Sequence, residues 1–245
     1  MIKRIVDILI SFFGLLFITP VLIPIIFLVW NQDKKSPFYI ASRSGKGGSI
    51  FNMVKLRSMI ANADKLGIDS TSTSDVRITP IGNKIRKYKL DEFIQLWNVL
   101  IGEMSLVGPR PNVKNETDLY TDAEKVLLTV KPGITDFSSI VFSDEGEILE
   151  GKEDPDLSYN QLIRPWKSRL GLIYIKNQST LLDLQIILYT AIAILSKQTA
   201  LTWVANKLTK LNVDENIIKV SKREEKLFPF PPPGSDRVVS LRKIK

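Results

Sequence analysis

The segment Ile5–Trp30 is almost entirely apolar, and it constrains the fold more than any other part of the chain. As a helix rising ~1.5 Å per residue, it would reach about 39 Å, which exceeds the ~30 Å hydrocarbon core of a bilayer. A secretory signal peptide fits poorly, because the apolar run is too long and no small-residue cleavage site follows it. The segment is therefore predicted to enter a membrane.

Two features favour a helix that re-enters the membrane over one that crosses it. Basic residues flank the segment on both sides, at positions 3, 4, 34 and 35. Basic flanks prefer the cytoplasmic side, so both ends favour the same side. Pro20 and Pro24 lie inside the segment, where each lacks the N–H of a helical hydrogen bond. A helix that turns near Thr19 and Pro20 satisfies both observations, although a straight span stays open because Pro is common in spanning helices.

The absence of His and Cys from the 245 residues excludes whole classes of chemistry. Ser-His-Asp and Cys-His nucleophiles, zinc fingers, CxxC redox motifs and disulfide frameworks all need one of these residues. Acid–base or nucleophilic chemistry must therefore use Asp, Glu, Lys, Ser, Thr or Tyr. The single charge in the apolar segment is Asp7, which is predicted to stay near the interface and to pair with Lys3 or Arg4.

Two stretches, 34–63 and 76–90, are rich in Lys and Arg and contain no acidic residue. They indicate an anionic partner: nucleic acid, lipid head groups or a phosphorylated small molecule. Nucleic acid is disfavoured because aromatic residues do not alternate with the basic ones. A membrane segment beside the basic runs favours phosphates and anionic membrane lipid.

Asp91 and Glu92 follow the second basic run at the predicted start of a helix that ends at Gly102. The simple interpretation is an Asp N-cap and a first-turn Glu, which helix starts prefer. The functional alternative is phosphate chemistry: a divalent cation bridges carboxylate and phosphate, and a carboxylate attacks phosphorus. In a chain without His or Cys, this pair is the strongest candidate nucleophile.

Three other stretches have simpler interpretations. Asp154-Pro155-Asp156 matches the DxD pattern of metal-dependent glycosyltransferases but lies in a polar run, so a loop is the favoured interpretation. The apolar stretch 181–195 is short for a span and is predicted to be a core helix or a helix on the membrane surface. The basic, Pro-containing tail 201–245 is predicted to be a charged helix to about Lys226 and then extended or disordered.

A series of motifs resembles the bacterial sugar transferases, the small monotopic phosphoglycosyl transferases, from about Lys3 to Lys197. The motifs are KRIVD at 3–7, RSGKGGSIF at 43–51, KLRSM at 55–59, RITPIG at 77–82, LDEFIQLWNV at 90–99, GEMSLVGPRP at 102–111, KPGIT at 131–135, and YIKNQS at 174–179 with Asp183. The DE…QLWNV…GPRP run is long and specific.

The resemblance implies an enzyme that transfers a phospho-sugar from a UDP-sugar to a polyprenol phosphate, usually undecaprenyl phosphate, releasing UMP with Mg²⁺ as cofactor. Asp91 is implied as the nucleophile of a covalent phospho-sugar enzyme, with Glu92 assisting the metal or proton handling. Arg86 and Arg110 are implied to hold phosphates, and Lys55 and Arg57 belong to a block that contributes to the same pocket. The implied location is the cytoplasmic face of the bacterial inner membrane, at the start of glycan assembly.

The chain departs from the family pattern at Asp136-Phe-Ser-Ser139, where Gly-Trp is usual, and at Gly171, where many members have an acid. These departures leave open a catalytically weak membrane scaffold, and a direct glycosyltransferase releasing UDP is a third possibility. The predicted fold is helix-rich α+β and monotopic, with a re-entrant helix, amphipathic interfacial helices and a small β element. The predicted organisation is a membrane helix at 1–33, a catalytic domain at 34–200 and the tail at 201–245.

Overall fold

A computed structural model describes residues 2–63 and 74–240. Four strands form two small sheets: β1 (Phe38–Ser44), β2 (Ile50–Leu56), β3 (Ser105–Val107) and β4 (Gly133–Thr135). The helices are α1 (Ile2–Asp33), α2 (Pro80–Lys87), α3 (Leu90–Phe93), α4 (Leu96–Ile101), α5 (Lys114–Thr117), α6 (Asp122–Lys125), α7 (Phe137–Val141), α8 (Glu145–Ile148), α9 (Pro155–Leu162), α10 (Arg164–Lys176), α11 (Thr180–Leu195), α12 (Lys197–Lys210) and α13 (Glu215–Lys222). The helix-rich α+β class predicted from the sequence is confirmed.

Helix α1 is helical at every residue through Pro20 and Pro24, and it is long and apolar enough to cross a membrane by length and composition. Its fully buried residues fall into two groups, Asp7 with Ser11 and Leu22 with Val29. The stretch between them is more exposed, and Phe17 reaches 76% exposure. Both ends of α1 therefore pack on the rest of the protein. The stretch between them contacts the domain through Gly14, Leu15 and Ile18 and exposes its other side chains.

The start of α1 is held by polar contacts that differ from the predicted pairing. Asp7 accepts hydrogen bonds from the Ser105 hydroxyl (2.8 Å) and the Leu106 N–H (3.1 Å), and not from Lys3 or Arg4. The Lys3 ammonium instead donates to Asp183 at 2.8 Å. The sequence expectation was wrong because it considered only neighbours in the chain, whereas β3 brings better-placed donors to Asp7.

The small β element predicted from the sequence is a hairpin: β1 and β2 pair antiparallel, with Arg43 opposite Phe51. Asn98 of α4 ties this hairpin to the following helices. Its side-chain oxygen accepts from the Val54 N–H at 3.0 Å, and its amide donates to the Asn52 carbonyl at 2.8 Å. Because Asn98 is fully buried and bonds directly to β2, it fixes the strand that carries Lys55 against α4.

The main core lies between β3, β4 and the helices α7, α10, α11 and α12. Helix α12 contributes Ala200, Leu201, Val204 and Leu208, each at most 2% exposed. The boundary predicted at residue 200 thus falls inside a helix, and the first turns of the predicted tail belong to the core of the domain.

The Pro-rich end of the chain packs on α9 and α10. The ring of Phe230 stacks on Trp166 with centroids 4.4 Å apart, and the Phe230 N–H donates to the Gln161 carbonyl at 3.0 Å. Arg169 donates to the Pro231 carbonyl at 2.9 Å. The helical part of the tail ends at Lys222 and not at the predicted Lys226. Residues 223–240 form neither helix nor strand, but these contacts give them a fixed position on the domain.

Candidate active site

Asp91 and Glu92 lie in the short helix α3, which follows Lys89 in the left-handed conformation (φ 55°). Lys89, not Asp91, is the residue that precedes the first helical turn, so the prediction of an Asp91 N-cap was wrong. The predicted single helix from 91 to 101 is divided into α3 and α4, and Gly102 ends α4 with a φ of 93°, as predicted. The Asp91 side chain therefore does not cap the helix.

Arg110 reaches this pair from the loop after β3. Its guanidinium donates to Glu92 Oε1 at 2.9 Å and to the Ile134 carbonyl at 2.8 Å. The loop can lie here because Gly108 and Gly133 pass in close contact: a Cβ on Gly133 would stand 2.1 Å from the Gly108 nitrogen. Only glycine fits at such an approach of two backbones, which explains the GPRP and KPGIT motifs physically.

Glu92 is held ionised by its surroundings. Burial alone would raise its pKa, but Arg110, Lys89 and Lys55 together outweigh burial and lower the pKa to about 2. The pKa of Arg110 rises in turn, because the charge of Glu92 overcomes the effect of burial. The two side chains form a stable, charged pair beside Asp91.

Asp91 differs from Glu92 in being unengaged: among the residues that the structure describes, it makes no hydrogen bond or ion pair. Burial raises its pKa, and the neighbouring Glu92 adds to this, while the positive charges of Lys55, Arg86 and Arg110 act in the opposite direction. The pKa of Lys55 is lowered by burial and by the charge of Arg110. A partly buried carboxylate near three cations is well placed to attack an electrophile that carries negative charge.

The structure brings together five of the six predicted site residues: Lys55, Arg86, Asp91, Glu92 and Arg110. Arg57 is occupied elsewhere. Its guanidinium is buried and binds both carboxylate oxygens of Asp33, at 2.5 and 2.7 Å. Its contact is thus with the end of α1, and no sequence pattern indicates Asp33 as its partner.

The departures from the family pattern have local structural reasons. Asp136 is buried, caps α7 by accepting from the Ser139 N–H at 2.8 Å, and also accepts from the hydroxyls of Ser138 and Ser139. Gly171 packs against Leu127, where a Cβ would approach to 2.8 Å. Both departures from the family pattern therefore fit the packing of this chain. The acidic Asp136 is a residue near Arg110 that sequence reasoning did not assign to the site.

The DxD match is the start of a helix, so the prediction of a loop was wrong. Asp154 accepts from the Leu157 N–H at 2.9 Å and caps α9, and Pro155 occupies the first turn.

Comparison of the sequence with known proteins identifies the family of this chain. A family model described as bacterial sugar transferase matches residues 1–197. The chain belongs to the bacterial sugar transferase family. The resemblance predicted from the motifs is thereby confirmed, and with it the assignment as a transferase enzyme.

Individual relatives carry more specific names. The chain is 32% identical over 207 residues to the exopolysaccharide production protein ExoY of Sinorhizobium fredii, covering 78% of this chain and 84% of the relative. It is 32% identical to an undecaprenyl-phosphate galactose phosphotransferase of Salmonella typhimurium, covering 81% of this chain and 41% of the relative. It is also 32% identical to a UDP-glucose:undecaprenyl-phosphate glucose-1-phosphate transferase of Klebsiella pneumoniae, covering 77% and 39%. The chain thus spans about two fifths of the length of these two phosphotransferases.

Proposed function

We propose that this bacterial sugar transferase moves a phospho-sugar from a UDP-sugar to a polyprenol phosphate such as undecaprenyl phosphate, and releases UMP. The names of the Salmonella and Klebsiella relatives support this reaction. The observation that carries the proposal is the unengaged Asp91 carboxylate, set among Lys55, Arg86 and Arg110 and next to the fixed Glu92–Arg110 pair. The product would be the lipid-linked sugar with which assembly of a polysaccharide begins.

The reaction would proceed in two displacements at phosphorus. In the first, an oxygen of Asp91 forms a bond to the β-phosphorus of the UDP-sugar, the bond from that phosphorus to the bridging oxygen breaks, and UMP leaves. In the second, an oxygen of the lipid phosphate attacks the same phosphorus and the Asp91 carboxylate is released. Both steps gather negative charge in one place, which Lys55, Arg86 and Arg110 would offset.

A Mg²⁺ ion fits the donor set only if the substrate supplies further ligands. Within the described ranges of the chain, no group of three or more acidic side chains could hold a metal ion alone. Mg²⁺ is commonly bound by one or two carboxylates together with substrate phosphates, and Asp91 and Glu92 provide those carboxylates. When bound, the ion would supply charge neutralisation at the phosphates.

We further propose that α1 enters the bilayer and leaves on the entry side, with its turn near Thr19 and Pro20. Both buried groups of α1 pack on the same domain, so a straight crossing would draw the domain into the bilayer. Both prolines are exposed, and Pro20 lies between the two buried groups. Thr19 donates to the Leu15 carbonyl at 2.6 Å, a contact that favours bending. The domain would then lie on the cytoplasmic side of the inner membrane, where the basic flanks of α1 favour it.

Helix α11 offers a second membrane-facing surface. Its exposed side chains Leu181, Leu184, Leu188 and Leu195 recur at intervals of three, four and seven residues and so share one face. This stripe supports the proposal that α11 lies on the bilayer interface, where anionic head groups would meet the basic residues of the domain.

The topology is testable because the chain contains no Cys. Single cysteines placed at Ile2 and Ser36 are expected to react with a membrane-impermeant maleimide from the same face as Asn206→Cys, an exposed marker of the domain. The measurement is labelling in right-side-out and inverted vesicles. Labelling of positions 2 and 36 from opposite faces would overturn re-entry.

The reaction is testable by the nucleotide that is released. Purified protein with Mg²⁺, undecaprenyl phosphate and a panel of UDP-sugars is expected to release UMP with one or a few of the sugars. Chromatography separates UMP from UDP. Release of UDP would indicate a direct glycosyltransferase, and inactivity with every sugar of a complete panel would favour the scaffold.

A further inference from the structure

The family match ends at residue 197. The C-terminal part of the chain, from Lys197 onward, contacts a segment that also binds Arg110. That segment begins at Ile134, whose carbonyl accepts from Arg110, and continues through the Asp136 cap and α7 to Asp144. Two cations from the C-terminal part of the chain meet at Asp144. Lys197 at the start of α12 lies 2.8 Å from its Oδ2, and Arg223 after α13 lies 3.2 Å from the same atom.

Arg223 makes a second contact with this segment. Its guanidinium lies over the ring of Phe142, 5.5 Å from the centroid, and Phe142 is almost fully buried at the end of α7. Helix α12 also packs on α7. The C-terminal elements therefore hold the far end of the 134–144 segment through an ion pair, a cation–π contact and apolar packing.

The segment matters to the site because its acidic groups lie close to Arg110. The negative charges of Asp136 and Glu145 both raise the pKa of the Arg110 guanidinium, so a movement of this segment changes the field at that side chain. Glu145, next to Asp144, is paired with Lys167 of α10. Residues 134–145 thus provide both a backbone carbonyl that binds Arg110 and two acidic groups that act on its charge.

We propose that Arg223 is a positioning residue for donor binding: by holding Asp144 and Phe142, it fixes residues 134–145 and thereby the orientation of Arg110 toward the diphosphate of the sugar nucleotide. This inference rests on the proposed function for its substrate. It assigns a role to a part of the chain that lies outside the family match.

The test compares three full-length variants. Arg223, whose backbone is left-handed (φ 56°), is replaced by residues without a branched Cβ. Arg223→Met keeps an unbranched apolar stem but removes the guanidinium and its charge, whereas Arg223→Lys keeps the charge. Lys222→Met removes the same charge from the neighbouring, exposed position and serves as the matched control. With the sugar that supports UMP release, Arg223→Met is expected to raise KM for the UDP-sugar about three- to tenfold and to change kcat less than twofold. Arg223→Lys should restore most of the affinity, and Lys222→Met should resemble the unaltered protein.

A second readout does not require turnover. Amide hydrogen exchange of residues 134–149 in the purified full chain is expected to become faster in Arg223→Met and to stay unchanged in Lys222→Met. Unchanged exchange would overturn the proposal, as would faster exchange with an unaltered KM. A fall in kcat together with a fall in melting temperature would show a merely structural role. If the unaltered protein releases no UMP, the proposed function fails, while faster exchange would still support the contact between Arg223 and the segment.

Discussion

Replacing Asp91 by asparagine is expected to reduce UMP release by roughly 10⁴-fold or more, the scale of loss when an enzyme is deprived of its nucleophile. The amide keeps the shape of the side chain but cannot form the bond to phosphorus. A quench experiment with labelled UDP-sugar and no lipid acceptor provides the direct measurement. The unaltered protein should retain label covalently, and the variant should not.

The same substitution is expected to leave the fold intact or slightly stabilised. Burial raises the pKa of Asp91, so at neutral pH the folded protein bears the cost of a charge that is better solvated when the chain is unfolded. Asparagine removes that charge. An equal or higher melting temperature with lost activity would match the proposal, and Asp122→Asn, at an exposed carboxylate, is the matched control. Full activity in Asp91→Asn would contradict the proposed nucleophile.

Replacing Glu124 by alanine is expected to lower the free energy of unfolding by about 3–5 kcal/mol, because it leaves a buried arginine without its partner. Glu124 is fully buried and binds Arg164 through both oxygens, at 3.0 and 2.6 Å. It also accepts from the Ser168 hydroxyl at 2.7 Å and from the Thr121 N–H at 3.0 Å. Alanine therefore removes the acceptor of four donors, namely two guanidinium nitrogens of Arg164, the Ser168 hydroxyl and the Thr121 N–H.

Denaturant unfolding in detergent measures this effect. Lys125→Ala, at the next position, breaks an exposed ion pair with Asp122 and is expected to change stability little. A double variant, Glu124→Ala with Arg164→Met, should recover part of the loss, since it also removes the unpaired charge. Similar midpoints for Glu124→Ala and Lys125→Ala would show that the network contributes little.

The sequence predicted which residues form the site better than it predicted the contacts that hold them in place. Asp91 and Glu92 followed from the absence of His and Cys and from their position after a basic run. Arg110 depended on the family resemblance, because its approach to Glu92 relies on two backbones that meet at Gly108 and Gly133. No local pattern reveals such a contact between residues far apart in the chain.

The same limit explains the errors. Arg57 belongs to a basic motif, yet its partner Asp33 lies at the end of α1, and the pairing requires the helix and the hairpin to be placed first. The Pro-rich end was predicted to be extended or disordered from composition. Its order comes from Trp166 and Gln161, which α9 and α10 present to it. Composition indicates the conformation that a segment prefers in isolation. It does not indicate which surface of the folded domain the segment will pack against.

The burial of both ends of α1 has a practical consequence for anyone who wishes to study this enzyme in water. A membrane anchor that is only a tether can be cut away, leaving a soluble domain. Here removal of residues 2–33 would expose Leu56 and Ile85 and would strip Arg57 and Asp183 of charged partners. Because α1 completes the interior of the domain, we expect the smallest unit that folds to include it and, if α1 enters the bilayer as proposed, to need a lipid or detergent surface.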